Sequence, residues 1–184
     1  MKFTETIIPG VLIIEPRVFN DDRGYFYESY SKSKWLDAGI DVDFVQDNQS
    51  LSQKGTVRGL HAQAPPFAQG KLVRVMQGAV MDIAVDARVG SPTYGRHVAV
   101  ELSAKNHLQL WVPAGCLHGF VTLEDDTLFT YKVTNVYDKA SELGVVWNDP
   151  ELAIGWGISE KDALLSPKDQ ELPDFKSFNN PFTY

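Results

Sequence analysis

Cysteine and long apolar runs are the scarcest features of this 184-residue sequence. A single cysteine, Cys116, excludes a framework of internal disulfide bonds. No apolar run is long enough to span a bilayer, and the opening residues MKFTETIIPG lack the hydrophobic segment of a signal peptide. We therefore expect a cytoplasmic protein that does not act within a membrane.

An excess of positive charge is also absent. The chain has 17 basic and 24 acidic residues, a net charge of −7, which argues against nucleic acid or an anionic membrane as the main partner. A small anionic ligand would need a locally basic site. Arg58, Lys71 and Arg74 lie in one stretch, residues 56–78, and make this stretch a candidate for such a site.

The sequence is dominated by short strand signals separated by Gly, Pro and Asp turns, and hydrophobic residues make up 43% of it. This rhythm predicts a mainly β, single domain over residues 1–184, an antiparallel sandwich or barrel of jelly-roll type. The early strands are predicted at GVLIIEP (10–16) and GYFYESY (24–30).

A few short peripheral helices are expected around the sheets. The segment SKSKWLDAG (31–39) predicts a helix, with Ser31 or Ser33 as its N-cap and Gly39 at its end. Helical signals also occur around residues 160–171, where Ser159 and Ser166 are possible caps.

The motif PAGCLH (113–118) has the form P-x-G-x-x-H and resembles the second signature of the cupin superfamily, a small β-barrel fold. In the first cupin signature, this sequence places His61, Gln63 and Lys71 at ligand positions, with His118 as the fourth. A metal needs lone pairs from imidazole and carboxylate groups, whereas an ammonium group has none to give and repels a cation. We therefore expect a pocket without a metal or other cofactor, in which Lys71 supplies the positive charge.

At full length, the sequence resembles the dTDP-4-dehydrorhamnose 3,5-epimerase family of metal-free cupins. The resemblance lies in the ordered segments DDRGYFYESY, FVQDNQSLS, VRGLHAQ, QGKLVRVMQG, DIAVDAR, WVPAGCLHGF, YKVTNVYD, ELGVVWNDPELAIGW and LSPKD. One departure is Ala62, where the family usually has an aromatic residue, and we expect its side chain to point away from His61. The family inverts a keto-sugar at the two carbons that flank its C4 carbonyl, so the resemblance implies a dTDP-4-keto-6-deoxyhexose substrate.

The resemblance also implies four catalytic residues. His61 would be the base, because an imidazole can be neutral near pH 7, and Asp169 would orient it. Lys71 would face the enolate oxygen, and Tyr131 would be the acid, because a phenol keeps its proton at neutral pH. Inversion requires proton return from the opposite face of the sugar, so base and acid must be different groups.

Further family positions imply contacts with the substrate. Tyr137 would stack on the thymine ring, and it would share strand parity with Tyr131. Guanidinium groups suit the pyrophosphate. The full set of implied substrate-binding residues is Arg23, Glu28, Gln46, Asn48, Arg58, His118, Tyr137, Glu142 and Lys168. The family forms homodimers, and strand GYFYESY could cross to the partner.

Alternatives remain open on the residues alone. Lys71 and Arg58 could lie on a solvated face, His61 could be a hydrogen-bonded core histidine, and Cys116 is expected to be a small buried hydrophobe. The resemblance leaves a 3-epimerase acting on a related dTDP-4-keto-6-deoxysugar as the nearest rival to the 3,5-epimerase. A metal-dependent cupin and a non-catalytic sugar- or nucleotide-binding module are the other functional classes.

Overall fold

The computed structural model describes residues 1–184, and strands account for most of the regular structure. The elements, in chain order, are β1 (Lys2–Glu5), β2 (Leu12–Glu15), β3 (Phe19–Asp21), β4 (Gly24–Phe26), α1 (Lys32–Asp37), β5 (Gln46–Ser52), β6 (Val57–Gln63), β7 (Lys71–Gln77), β8 (Ala79–Asp86), β9 (His97–Ser103), β10 (Gln109–Val112), β11 (Cys116–Thr122), β12 (Thr127–Val133), β13 (Glu142–Gly144) and α2 (Pro167–Gln170). The predicted mainly β class is confirmed. No helix is long and apolar enough to cross a membrane.

Two antiparallel sheets form the body of the fold. The first sheet has the order β1-β2-β10-β7-β12-β5, and the second has the order β13-β6-β11-β8-β9. Apolar side chains from the facing sides of both sheets, among them Val73, Leu110, Val80 and Phe120, pack into one cluster. The sheets face one another as a jelly-roll sandwich, and hydrogen bonds do not close them into a barrel. The strands β3 and β4 form a separate hairpin.

Strand periodicity explains which side chains reach the space between the sheets. Successive side chains in a strand point to opposite faces. On β7, Lys71 and Val73 face inward, whereas Arg74 lies in a groove on the outer face of the first sheet. Arg74 is therefore not part of the expected basic site, because one step along the strand reverses the direction of its side chain.

The outer face of the second sheet is covered, and that of the first sheet is covered in part. The C-terminal segment packs Trp147, Trp156 and three phenylalanines against the outer side of the second sheet. Helix α1 covers part of the first sheet, where the buried Trp35 meets Trp111 edge-to-face at a ring-centroid distance of 5.3 Å. The cavity described below opens between the two sheets and not on these covered outer faces.

The predicted helix at residues 31–39 is confirmed as α1, and Gly39 ends it with a φ of +80°. Its N-cap position is Ser31, although the Ser31 side chain makes no capping hydrogen bond. The helical prediction for residues 160–171 is wrong in extent, because only Pro167–Gln170 is helical. The strand predicted at residues 24–30 is also shorter, ending at Phe26.

We predict that Trp35→Ala costs about 3–5 kcal/mol of unfolding free energy, because the indole is 1% exposed and its removal leaves a cavity. The matched control is Leu36→Ala in the same helix, where the side chain is 47% exposed and the expected cost is about 0.5 kcal/mol. Urea denaturation of the two variants measures both values. Equal costs would contradict the burial of Trp35 against the first sheet.

Candidate active site

A cavity of about 650 Å³ opens between the two sheets. Its walls come from β5, β7 and β12 of the first sheet, from β6 and β11 of the second, and from residues 164–169 of the C-terminal segment. The predicted residues that line it are His61, Lys71, Tyr131, Asp169, Asn48, Arg58, His118 and Lys168. All four predicted catalytic residues are therefore brought together, although Asp169 is 108 residues from His61 in the chain.

His61 and Asp169 form a hydrogen-bonded pair. The Nε2 atom of His61 lies 2.5 Å from Oδ1 of Asp169, whose side chain is buried. Burial disfavours the carboxylate and is the largest single effect, but the hydrogen bond and charge of His61, together with Ser166 and Lys168, outweigh it and lower the pKa of Asp169 below its ordinary value. An ionised Asp169 holds the proton of His61 on Nε2 and leaves Nδ1 as the nitrogen that can accept a proton.

Local structure delivers Asp169 to this position. Residues 162–166 run beside the start of β6, where Val57 donates its backbone N–H to Leu164 O (3.0 Å). Ser166 then caps α2 by accepting a hydrogen bond from the backbone N–H of Asp169 at 3.2 Å. Pro167 at the first turn of α2 suits the backbone angles of a helix start.

Lys71 projects from the first residue of β7 into the cavity. Its Nζ donates a hydrogen bond to the backbone carbonyl of His61 at 3.2 Å, so it reaches from the first sheet to the second. No carboxylate lies within 4.0 Å of it. Burial lowers the pKa of Lys71 to about 8, while the negative charges of Asp82 and Glu142 oppose that decrease. An ammonium with free N–H groups can stabilise an oxyanion in this cavity.

His118 lies on β11 directly opposite His61 on β6. Its Nε2 is 3.0 and 3.1 Å from the two oxygens of Asp82, which is fully buried. Asp82 was not among the predicted site residues. The sequence did contain a signal for Asp82. It is a charged residue in the largely apolar run AVMDIAVD, at a strand position that faces inward, and a buried aspartate of this kind is rare unless it has a partner.

Tyr131 lies on β12, and its hydroxyl makes no hydrogen bond within the chain. Burial raises the pKa of Tyr131, an effect that Arg58 opposes and Glu142 reinforces. The phenol therefore keeps its proton at neutral pH and has it free to donate. Ala62, next to His61, packs into the cluster on the outer face of the second sheet, which confirms the predicted direction of its side chain.

Two separate sets of hydrogen bonds hold polar side chains at the two ends of β5. Arg58 donates from Nε and Nη2 to Ser52 Oγ, both at 3.2 Å, which aims the guanidinium along the cavity. Gln46 donates to Asn48 Oδ1 at 2.8 Å and accepts from the backbone N–H of Tyr137 at 3.0 Å. Gln46 thus connects the end of β5 to the loop after β12.

Glu142 links two segments at the rim of the cavity. Its Oε1 forms an ion pair with Lys168 of the C-terminal segment, and its Oε2 accepts a hydrogen bond from the Tyr137 hydroxyl at 2.9 Å. Tyr137 lies in the loop after β12, which ends at Val133, so the expected strand parity with Tyr131 is wrong. The exposed ring is held at the rim by Glu142.

Arg23 and Glu28 are not brought to this cavity. Arg23 lies in the β3–β4 hairpin, where its 90% exposed side chain pairs with Asp21 at 2.6 Å. Glu28 forms an ion pair with Lys34 of α1. The same hairpin carries three exposed aromatic side chains, Phe19, Tyr25 and Phe26.

The side chains at the cupin ligand positions do not suit a metal. Nowhere in residues 1–184 do three or more His, Cys, Asp or Glu side chains form a group that could hold a metal ion. Gln63 is occupied with the loops, donating to Phe67 O at 2.7 Å and accepting from the backbone N–H of Asp138 at 2.9 Å. Lys71 occupies the position where a cupin metal site has a carboxylate.

The chain is similar to known proteins over almost its whole length. The family model described as dTDP-4-dehydrorhamnose 3,5-epimerase matches residues 5–177. The dTDP-4-dehydrorhamnose 3,5-epimerase of Shigella flexneri is 51% identical over 170 residues, which cover 92% of this chain and 93% of that protein.

Solved structures of similar proteins have the same fold. The dTDP-6-deoxy-D-glucose-3,5-epimerase of Legionella pneumophila, in complex with dTDP-4-keto-L-rhamnose, superposes with a TM-score of 0.95 at 44% identity, over 100% of this chain and 98% of that one. A 3'-monoepimerase of Streptomyces bikiniensis, in complex with dTDP-quinovose, gives 0.88 at 32% identity, over 94% and 87%. These likenesses confirm the predicted cupin-type jelly roll.

We predict that Cys116 is inert towards thiol reagents in the folded protein. It is buried in the cluster between the sheets, and burial raises the pKa of its thiol to about 12. Absorbance of the thiolate released from a disulfide reagent at pH 8 should show no reaction until the protein is unfolded in denaturant. One equivalent of fast labelling in the native state would contradict the burial of this residue.

Proposed function

Because the chain belongs to the dTDP-4-dehydrorhamnose 3,5-epimerase family, we propose that it converts dTDP-4-dehydro-6-deoxy-D-glucose to dTDP-4-dehydro-β-L-rhamnose. The enzyme is an isomerase that inverts C3 and C5, on either side of the C4 ketone. The observation that carries this proposal is the placement of His61 and Tyr131 on opposite walls of one cavity, with the Lys71 ammonium between the sheets.

His61 removes the proton from the carbon next to the ketone. Its free nitrogen, Nδ1, accepts the proton, and the imidazolium that forms is stabilised by the ionised Asp169 at 2.5 Å. Asp169 also prevents the ring from turning, because its hydrogen bond and its burial hold the imidazole in one orientation.

Lys71 stabilises the enolate that forms when the proton leaves. Negative charge develops on the C4 oxygen, and the free N–H groups of Lys71 donate to it inside the cavity. This electrostatic contribution needs no metal ion. His118, on β11 of the second sheet, provides a further polar contact for the sugar.

Tyr131 returns a proton to the opposite face of the carbon. It belongs to β12 of the first sheet, whereas His61 belongs to β6 of the second, so the sugar ring lies between them. A proton removed on one side and returned on the other inverts the carbon. Repetition at the second carbon requires the sugar to present C3 and C5 in turn to the same pair.

Arg58 and Lys168 supply positive charge for the diphosphate, and Asn48 and Gln46 supply amide groups for the nucleotide. Tyr137, held by Glu142 at the rim, is placed to stack on thymine. We infer that these residues bind the nucleotide part of the substrate. A cytoplasmic location for this reaction remains a prediction.

A homodimer is part of the proposal, because two implied binding residues, Arg23 and Glu28, neither line the cavity of a single chain nor connect through side-chain hydrogen bonds or ion pairs to the residues that line it. The β3–β4 hairpin carries Arg23 among exposed aromatic side chains, and Phe26 is 67% exposed. We infer that this hairpin contacts the partner chain and places Arg23 and Glu28 at the partner's cavity. Exposed aromatic groups of this kind are typical of protein interfaces.

We predict that the purified protein incorporates deuterium from heavy water at both C3 and C5 of dTDP-4-dehydro-6-deoxy-D-glucose. Each inversion passes through an enolate. The group that returns a proton to the carbon exchanges its own proton with solvent, so the carbon takes up deuterium. NMR or mass spectrometry of the product measures the label at each carbon.

Incorporation at C3 alone would select the monoepimerase activity that the Streptomyces bikiniensis protein is known for. Absence of label at both carbons, with the dTDP-sugar bound, would select a binding module. Activity that is lost to a chelator and restored by a metal would select a metal-dependent cupin.

We predict that His61→Ala abolishes deuterium exchange at both carbons, with a loss of at least about 10³-fold, because the base is removed. Tyr131→Phe should impair inversion more than exchange, since proton removal by His61 survives. Binding of dTDP, measured by calorimetry, should be nearly unchanged in both variants. Retained exchange in His61→Ala would remove His61 as the base, and equal losses of exchange and inversion in Tyr131→Phe would remove Tyr131 as the acid.

A further inference from the structure

The Lys71 ammonium is buried, and burial favours the neutral amine. The proposed reaction needs the charged form, because a neutral amine stabilises an enolate poorly. A carboxylate in direct contact would keep the charge but would occupy the N–H groups that the substrate needs. In this structure the only hydrogen bond from Lys71 Nζ goes to a neutral acceptor, the carbonyl of His61.

Four other groups around Lys71 contribute less negative charge to it than Asp82, or none. Glu142 on β13 raises the pKa of Lys71 less than Asp82 does and is paired with Lys168, and Asp169 is paired with His61. Tyr131 on β12 is a neutral phenol, and Arg58 on β6 is itself a cation.

Asp82 on β8 is different. It is 0% exposed, and both its oxygens contact a single group, Nε2 of His118, at 3.0 and 3.1 Å. Neither lysine nor arginine lies within ion-pair distance of Asp82. His118 therefore lies between its carboxylate and the open cavity, where it keeps the negative charge near the lysine but out of contact with it.

We propose that Asp82 is a positioning residue whose negative charge keeps Lys71 protonated from a distance, with His118 as the spacer that prevents a direct ion pair. The proposal rests on the proposed role of Lys71 in stabilising the enolate. Burial raises the pKa of Asp82, an effect opposed first by His118 and then by the charge of Lys71, and burial lowers the pKa of Lys71, an effect opposed first by the charge of Asp82. The two buried charges therefore support one another.

The test is Asp82→Asn, which keeps an oxygen to accept the hydrogen bond from His118 and removes the charge. With the pKa of Lys71 at about 8 in the native protein, loss of the carboxylate should lower it by about one unit. The alkaline limb of the pH profile of kcat should shift down by the same amount. The expected loss in kcat is about fivefold at pH 8 and less than about twofold at pH 6.

The matched control is Asp86→Asn, which removes another fully buried carboxylate from the same strand. Asp86 pairs with Arg88 and does not line the cavity, so the alkaline limb should stay in place. A loss in Asp82→Asn by the same factor at every pH would indicate a merely structural role and overturn the proposal. An unmoved limb would do the same.

A second measurement uses the native protein without substrate, so it does not depend on the folding of a variant or on the reaction. NMR of the lysine side chains should show Lys71 titrating near pH 8, and the carboxyl carbon of Asp82 should have the shift of an ionised group from pH 6 to 8. A protonated Asp82 at pH 7 would overturn the proposal. If these shifts hold while native enzyme exchanges no deuterium, the proposed function fails and the Asp82–Lys71 coupling stands.

Discussion

The buried ammonium of Lys71 is the constraint on which the rest of the site depends. The residue before it, Gly70, is fastened to Thr134 by two hydrogen bonds, at 2.8 and 3.0 Å, where β7 begins. A side chain at Gly70 would overlap the ring of Trp111, so only glycine fits at the position directly before β7. The packing of the first sheet thereby decides where the positive charge of the cavity lies.

The two-sheet architecture suits an inversion better than a retention of configuration. In the proposed mechanism each sheet contributes one proton-transfer group from a strand, His61 from β6 and Tyr131 from β12. Because the strands are held in register by neighbours on both sides, neither group needs a mobile loop to reach the substrate. Lys71 reaches from the first sheet to the second, and in the same proposal it faces the C4 oxygen of the sugar.

Much of the fold could be predicted from the sequence, because strand periodicity and turn residues are local signals. The P-x-G-x-x-H motif correctly indicated that His118 and His61 face the same cavity. The pairing of His61 with Asp169 came only from the family resemblance, since no local pattern relates residues so distant in the chain. Asp82 was missed, and Arg74 was placed on the wrong face, because side-chain direction depends on the register of the whole sheet.

The last 40 residues carry little regular structure, yet they complete the site. Phe175, Phe178 and Phe182 pack against the outer face of the second sheet and anchor the segment that bears Asp169. Backbone hydrogen bonds between Leu164 and the start of β6 then fix the position of this segment beside the cavity. The orientation of the proposed base is therefore coupled to hydrophobic packing on the far side of the sheet. A change in that packing would act on proton transfer through the position of Asp169, without contact with the substrate.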